Sequence, residues 1–211
     1  MTTSSVYTKA HIRECLDAHP SGGEDLQWLA GATPSLAAKV RATMPPATVP
    51  AAVLVPLVER GSGMTVLLTQ RAETLKDHAG QISFPGGRTE PEDLDPWHTA
   101  LREAYEEIGL LPSYVEFAGY LPDHPVVTGF RVTPAVGFVN PDYPLRIAEA
   151  EVHDVFEVPL EFILDAANHR PRTRMIGDMP IQVHDIPYGD RNIWGATAGM
   201  LMTLRRRLRS R

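Results

Sequence analysis

FPGGRTEPEDLDPWHTALREAYEEIGL, residues 84–110, decides how the rest of the chain is read. Its second half places Glu103, Glu106 and Glu107 within five residues. On an α-helix the positions i, i+3 and i+4 share one face, so this spacing gathers three carboxylates into one patch. The helix that would carry them has well-marked ends. Asp95 followed by Pro96 reads as an N-cap and a first-turn proline, and Gly109 reads as a left-handed stop, which predicts a helix over 96–108. Leu101, Ala104, Tyr105 and Ile108 form its expected inward stripe, with Glu103 and Glu107 at the edge of that stripe.

Like charges at i and i+4 destabilise an isolated helix by roughly 0.2–0.5 kcal/mol per pair, and Arg102 relieves part of this by pairing with Glu106. The same pattern suits a solvated acidic face, but partial shielding from water strengthens both the mutual repulsion and the attraction for a divalent cation. Oxygen-only ligands fit Mg²⁺ or Mn²⁺ rather than Zn²⁺, and magnesium is usually shared between carboxylates and substrate phosphates. Just upstream, Gly86 and Gly87 allow backbone torsions closed to other residues and a close approach of the chain to the acidic face or a ligand.

From Gly87 to Leu110 the sequence resembles the Nudix box, G-x5-E-x7-REUxEExGU with U aliphatic; Arg102-Glu103-Ala104-Tyr105-Glu106-Glu107-Ile108-Gly109-Leu110 matches its second half. The first half departs from the pattern, because Asp93 stands at the first acidic position and eight residues separate it from Arg102. A second stretch, LLTQRAETLKDHAGQISFPGG (67–87), resembles the signature of the coenzyme A diphosphatase branch, LLTxR[SA]x3Rx3Gx3FPGG, with Lys76 in place of an arginine. Lysine keeps the charge and loses the two-pronged fork. IWGATAGML (193–201) is also similar to that branch.

The resemblance implies an α/β fold, an α/β/α sandwich with a mixed sheet, and a hydrolase that uses Mg²⁺ or Mn²⁺. It implies Glu103, Glu106 and Glu107 as metal ligands and Arg102 as an orienter of the carboxylates. A carboxylate that takes the proton from water is implied too, with Glu103, Glu151 and Glu149 as candidates and Glu151 ranked above Glu149. Arg71, Lys76, His78, Gly86 and Gly87 are the candidates for substrate contact. The implied substrate is the diphosphate of coenzyme A or an acyl thioester, giving 4′-phosphopantetheine or its acyl form and adenosine 3′,5′-bisphosphate. Another nucleoside diphosphate derivative, such as a dinucleotide or nucleotide sugar, is an open alternative, as is a nucleotide-sensing module without catalysis. The resemblance further implies pairing into a homodimer.

The remainder of the chain is consistent with one domain. Its 211 residues, 43% of them hydrophobic, suffice for one sizeable core. We expect an N-terminal helical extension over residues 1–47, with helices around Thr8–Ala18 and Leu26–Thr43, and a hydrolase domain over 48–211. Strands are expected at Ala51–Val58 and Met64–Arg71 around the Gly61-Ser62-Gly63 turn, then at Val115–Leu121, Gly129–Val139 and Val152–Pro159. Pro134 predicts an edge or bulge in the fourth of these. A short helix at Leu160–Ala167, a hairpin at Arg174–Ile186 and a closing helix at Trp194–Leu208 complete the reading.

The single cysteine, Cys15, excludes an internal disulfide and predicts a reducing compartment. The longest apolar run, Ala51–Val58, is too short for a bilayer, so no membrane contact is expected. MTTSSVYTKAHIREC (1–15) lacks an apolar signal core, which predicts a cytoplasmic protein. A net charge of −6 argues against a nucleic-acid partner. The basic tail RRRLRSR (205–211) reads as a helix end, where cations favour the dipole, with contact to an anionic partner as the alternative. His98 needs no functional role on this reading, and Trp194 reads as a core residue, with stacking against an adenine ring as the alternative.

Overall fold

The computed structural model of the chain describes residues 7–23, 26, 33–75 and 77–209. In chain order these build α1 (Lys9–Glu14), α2 (Pro34–Thr43), β1 (Val49–Arg60), β2 (Gly63–Arg71), β3 (Ile82–Ser83), β4 (Gly86–Arg88), α3 (Pro96–Ile108), β5 (Val115–Tyr120), β6 (His124–Pro125), β7 (Phe130–Val139), β8 (Val152–Pro159), α4 (Leu160–Leu164), β9 (Arg170–Ile176), β10 (Met179–Tyr188), β11 (Arg191–Ile193) and α5 (Gly195–Arg209).

One mixed sheet runs β3-β2-β1-β7-β5, with β4 and β6 added at the starts of β1 and β7, and β8 along β2. Strands β1 and β2 form the expected hairpin, closed between Arg60 and Gly63. Strand β1 lies parallel to β7 from Val49↔Phe130 to Val58↔Val139. Parallel neighbours need a long crossover, and the chain uses it to carry α3 across one face of the sheet. Residues alternate between faces as a pleated strand requires: Ala52 and Leu54 pack with Ala100, Ala104 and Ile108 of α3, whereas Val55 and Leu57 pack on the opposite side with α4 and α5. This is the α/β/α sandwich. A separate antiparallel sheet, β11-β10-β9, flanks it.

Helix α3 begins and ends where its sequence predicts. The Asp95 side chain accepts a hydrogen bond from the His98 backbone N–H at 2.9 Å, and Gly109 closes the helix at φ 70°. The inward stripe needs one correction. Tyr105 is 41% exposed, with the Arg146 guanidinium over its ring, and Ala100 takes the inner position instead. Ala100, Ala104 and Ile108 recur at i, i+4 and i+8, and Glu107 at i+7 falls on that same face. The carboxylate is therefore within the stripe, not beside it, and only 3% of Glu107 is exposed.

Other departures have local causes. Pro134 sits in a strand flanked on both sides, not at an edge. The strand tolerates it because the chain leaves β5 there before re-entering as β6, and Pro134 supplies only a carbonyl, to the Leu121 N–H at 3.0 Å. The first expected helix is confined to Lys9–Glu14, and the second is described over Pro34–Thr43; the rest of its expected N-terminal half falls mainly in 27–32, outside the described residues. The helix expected at Leu160–Ala167 breaks at Asp165, whose carboxylate caps the following 3-10 turn. The hairpin expected at Arg174–Ile186 is longer, spanning Arg170 to Tyr188.

The N-terminal helix is part of the packed body. Ile12 and Cys15 lie in the same core as α5, Asp17 bridges to Tyr120, and Arg207 forks onto the Asp17 carboxylate. Arg205 donates to the Leu164 carbonyl at 2.9 Å. Two arginines of the basic tail are thus engaged within the chain. No helix of the described residues is long and apolar enough to cross a membrane.

Candidate active site

The site forms where α3 passes over β4. Gly87 lies so close to α3 that a Cβ there would stand 2.3 Å from the Glu103 Oε1, so glycine is what allows the loop and the carboxylate to meet. Gly86 is equally constrained from the other side: a Cβ would reach 2.5 Å from the Ala52 carbonyl oxygen. Its backbone N–H donates to the Glu107 carboxylate. The other oxygen of that carboxylate is buried without a hydrogen-bond partner. An unpaired oxygen at this depth is costly, and it marks the place where a positive ligand would be favoured.

Electrostatics follow from that burial. Desolvation first, and then the neighbouring charges of Glu103 and Glu151, push the Glu107 carboxyl up to about 8, against the opposing pull of Arg71 and the Gly86 N–H. Glu103 is raised as well, again mainly by burial, although Arg102 donates to it at 3.0 Å. Burial and mutual repulsion thus raise both carboxyls above their ordinary range.

Arg102 is a hub of hydrogen bonds. It donates to the Asp93 carboxylate through Nε at 3.1 Å and Nη2 at 3.0 Å, to the Arg88 carbonyl at 2.9 Å, to Glu103 at 3.0 Å and to Glu106 at 3.3 Å. The guanidinium ties the loop after β4 to the helix. Asp93 also accepts from the Thr99 hydroxyl at 3.0 Å and the Glu90 N–H at 2.9 Å. Led by the Arg102 bond, these hold its carboxyl down at about 2. The additional residue between Asp93 and Arg102 is accommodated in the turn, and the carboxylate still reaches Arg102.

The third acidic residue arrives through the backbone. The last carbonyls of α3 lack partners within the helix, and residues 146–148 supply them: Arg146 N–H to Ile108 O and Ala148 N–H to Glu107 O, both at 2.9 Å. The chain then turns, and the Glu151 carbonyl accepts from the Ala72 N–H at 2.9 Å. This sets Glu151 within electrostatic reach of both Glu103 and Glu107.

The remaining candidates are less uniform. Arg71, at an irregularity in the β2–β8 register, acts on Glu107, and its Nε is buried without a hydrogen-bond partner. His78 is exposed, in a left-handed conformation at φ 59°, and its ring contacts the Gln81 side chain within its own turn. Lys76 lies outside the described residues. Glu106 is half exposed and engaged by Arg102. Trp194 carries the Arg174 guanidinium 4.5 Å over its ring.

Among the described residues, no three His, Cys, Asp or Glu side chains stand close enough to hold an ion as placed. The donors nonetheless fit a hard divalent cation: the side chains that face the β4 loop from α3 are carboxylates, and one oxygen of the buried Glu107 is unpartnered.

The sequence pattern of the NUDIX domain matches residues 48–176, well over half of the chain. The chain belongs to the Nudix family. It is 43% identical over 154 residues to a protein named Uncharacterized Nudix hydrolase NudL from Escherichia coli (strain K12), covering 73% of this chain and 80% of the relative. A NudL from Shigella boydii serotype 18 matches to the same extent. Among solved structures, a Nudix hydrolase from M. smegmatis, RenU, is 19% identical over 74% of this chain and 84% of that one, with a TM-score of 0.46. The protein is accordingly a Nudix hydrolase acting on pyrophosphate bonds, a family that generally uses divalent ions such as Mg²⁺ or Mn²⁺.

Proposed function

We propose that this Nudix hydrolase cleaves the diphosphate of coenzyme A or its acyl thioesters to 4′-phosphopantetheine, or its acyl form, and adenosine 3′,5′-bisphosphate. The feature that supports the substrate is the resemblance over residues 67–87 to the coenzyme A diphosphatase signature, whose FPGG end forms the β4 loop. The feature that supports the chemistry is the buried, half-satisfied Glu107 beside Glu103.

Diphosphate hydrolysis requires placement of water in line with the leaving group and neutralisation of charge on the transferring phosphoryl group. Glu103 and Glu107, with Glu106 after release from Arg102, would hold Mg²⁺ or Mn²⁺. Bound there, a divalent ion would neutralise phosphate charge and acidify water. Glu151 takes the proton of the attacking water, and its place in a loop pinned by the α3 carbonyls keeps it near the helix acids without sharing their burial. Arg102 keeps Glu103 directed at the β4 loop. Gly86 and Gly87 bring the β4 backbone against Ala52 and Glu103, which sets the diphosphate beside that loop, and Arg71 meets a phosphate oxygen. On this reading residues 1–47 are an extension built onto the hydrolase domain of 48–211, and the enzyme works in the cytoplasm.

The test is product analysis in ¹⁸O-labelled water with Mg²⁺, comparing coenzyme A, octanoyl-coenzyme A, a dinucleoside polyphosphate and an ADP-sugar. Label on either bisphosphate or phosphopantetheine, with coenzyme A the fastest substrate, is the expected result. Much faster turnover of the ADP-sugar would remove the coenzyme A assignment. Saturable binding without any cleavage would make the protein a sensor.

A further inference from the structure

A cavity of about 230 Å³ opens beside Trp194, on the side of the sheet away from α3, and the site described above does not use it. Its walls are chiefly apolar, with Val126, Ile176, Ile181, Val183 and Ala196 among them. Val127 and Met175 stand exposed at its mouth. We infer that this cavity receives the acyl chain of a thioester substrate.

Three observations favour a chain over other occupants. The first is position. Arg88 of the β4 loop is in register with Ala51, Ala51 with Val132, and Val132 with His124 in the cavity wall. Three strand spacings of about 4.8 Å put roughly 14 Å, measured along the sheet, between the β4 backbone and the cavity wall. Because the acids face α3 and the cavity opens on the opposite face, a pantetheine arm would reach it by passing round the starts of the strands. The Arg88 side chain already leans that way, with its guanidinium 5.1 Å from the Phe130 ring, and Phe130 accepts a backbone bond from Val126.

The second is capacity. An apolar cavity of about 150 Å³ takes up benzene, so 230 Å³ accommodates roughly nine carbons. The third is chemistry. Arg174 already covers one face of Trp194 at 4.5 Å, which leaves a purine less aromatic surface to stack on. The same guanidinium suits a thioester or amide carbonyl at the mouth, while the interior offers an alkyl chain what it requires, removal from water.

The inference rests on the coenzyme A reading, and the experiment separates the two. Rates would be measured with Mg²⁺ on coenzyme A and on thioesters from acetyl to dodecanoyl. In parallel, octanoyl-pantetheine, which has no diphosphate, would be titrated calorimetrically. We expect kcat/KM to climb about two- to fourfold per methylene and level off near eight to ten carbons. Octanoyl-pantetheine should bind saturably. Ala196→Phe, which fills the cavity, should flatten the series and abolish that binding, with free coenzyme A turnover unchanged. Met175→Asp, at an exposed position, should lower only the long-chain rates, about tenfold, and serves if the phenylalanine variant does not fold. A flat chain-length series with no octanoyl-pantetheine binding overturns the acyl site while leaving the coenzyme A reading standing. Binding of octanoyl-pantetheine that Ala196→Phe abolishes, with no cleavage of any thioester, upholds the site and removes the diphosphatase reading.

Discussion

Glu107→Gln should destroy activity and at the same time stabilise the metal-free protein. The folded protein holds the Glu107 proton up to about 8, whereas the ordinary value is 4.5, so between those pH values the folded state binds more protons than the unfolded one. Stability contributed by this group is therefore full below pH 4.5 and is lost as pH rises through 8. At pH 8 the cost of burying this carboxyl is about 4 kcal/mol, and at pH 5 it is below about 1 kcal/mol. The amide escapes that cost but leaves a polar group imperfectly paired, at about 1–3 kcal/mol. The net expectation is a gain of roughly 2 kcal/mol at pH 8, or about 4–8 °C in Tm for a chain of this size. At pH 5 the variant should be no more stable than the parent. Thermal unfolding followed by circular dichroism in chelated buffer at the two pH values measures both. Saturating Mg²⁺, at about a hundred times its Kd, should stabilise the parent by nearly 3 kcal/mol and the variant much less. A variant that is less stable than the parent at pH 8, or a difference that does not change with pH, would refute the account of a carboxylate strained for want of a cation.

Further outcomes can be checked with the same protein. Asp93→Asn removes the two-pronged partner of Arg102 and should cost about 2–3 kcal/mol near neutral pH; since Asp93 is held down at about 2, that contribution persists above the ordinary carboxylate range and fades as pH falls towards 2, which a urea titration at pH 7 and pH 3 would show. Gly87→Ala should displace Glu103 and lower kcat on the order of 10²-fold with the fold intact by circular dichroism; normal turnover would mean that the loop and helix do not act as a unit. Glu151→Gln should lower kcat by about 10²–10⁴-fold, and Glu149→Gln by less than about twofold, so equal effects in a steady-state assay would displace Glu151 as the proton acceptor. Removal of divalent ions with EDTA should stop hydrolysis, and Mn²⁺ should restore it, as read by phosphate-ester product formation.

Much of the site was legible because its most informative part is local. A helix with a carboxylate N-cap, a proline in the first turn and a glycine stop declares its own ends, and Glu103, Glu106 and Glu107 then share a face by periodicity alone. The hairpin around Gly61-Ser62 and the strand of residues 152–159 were readable for the same reason. Tyr105 was misplaced because periodicity gives a face but does not choose between Tyr105 and Ala100 as its inner margin; Ala100 is the one that packs with Ala52 and Leu54. Pro134 was misread because a proline inside a sheet is tolerated only where the neighbouring strand is interrupted, and that interruption belongs to residues 121–123, not to the proline's own surroundings.

What the sequence by itself determined is the set of chemical groups and their spacing: paired glycines, a capped helix, an arginine and three acids able to favour a hard cation. Which of those acids is buried, which is tied up by Arg102, and which distant carboxylate joins them was decided only by tertiary structure. Burial depends on which side of α3 meets the sheet, and the arrival of Glu151 depends on the unpaired carbonyls at the end of α3 binding residues some 40 positions later in the chain. Desolvation and charge coupling are properties of such assembled surroundings, so they have no counterpart in spacing along the chain.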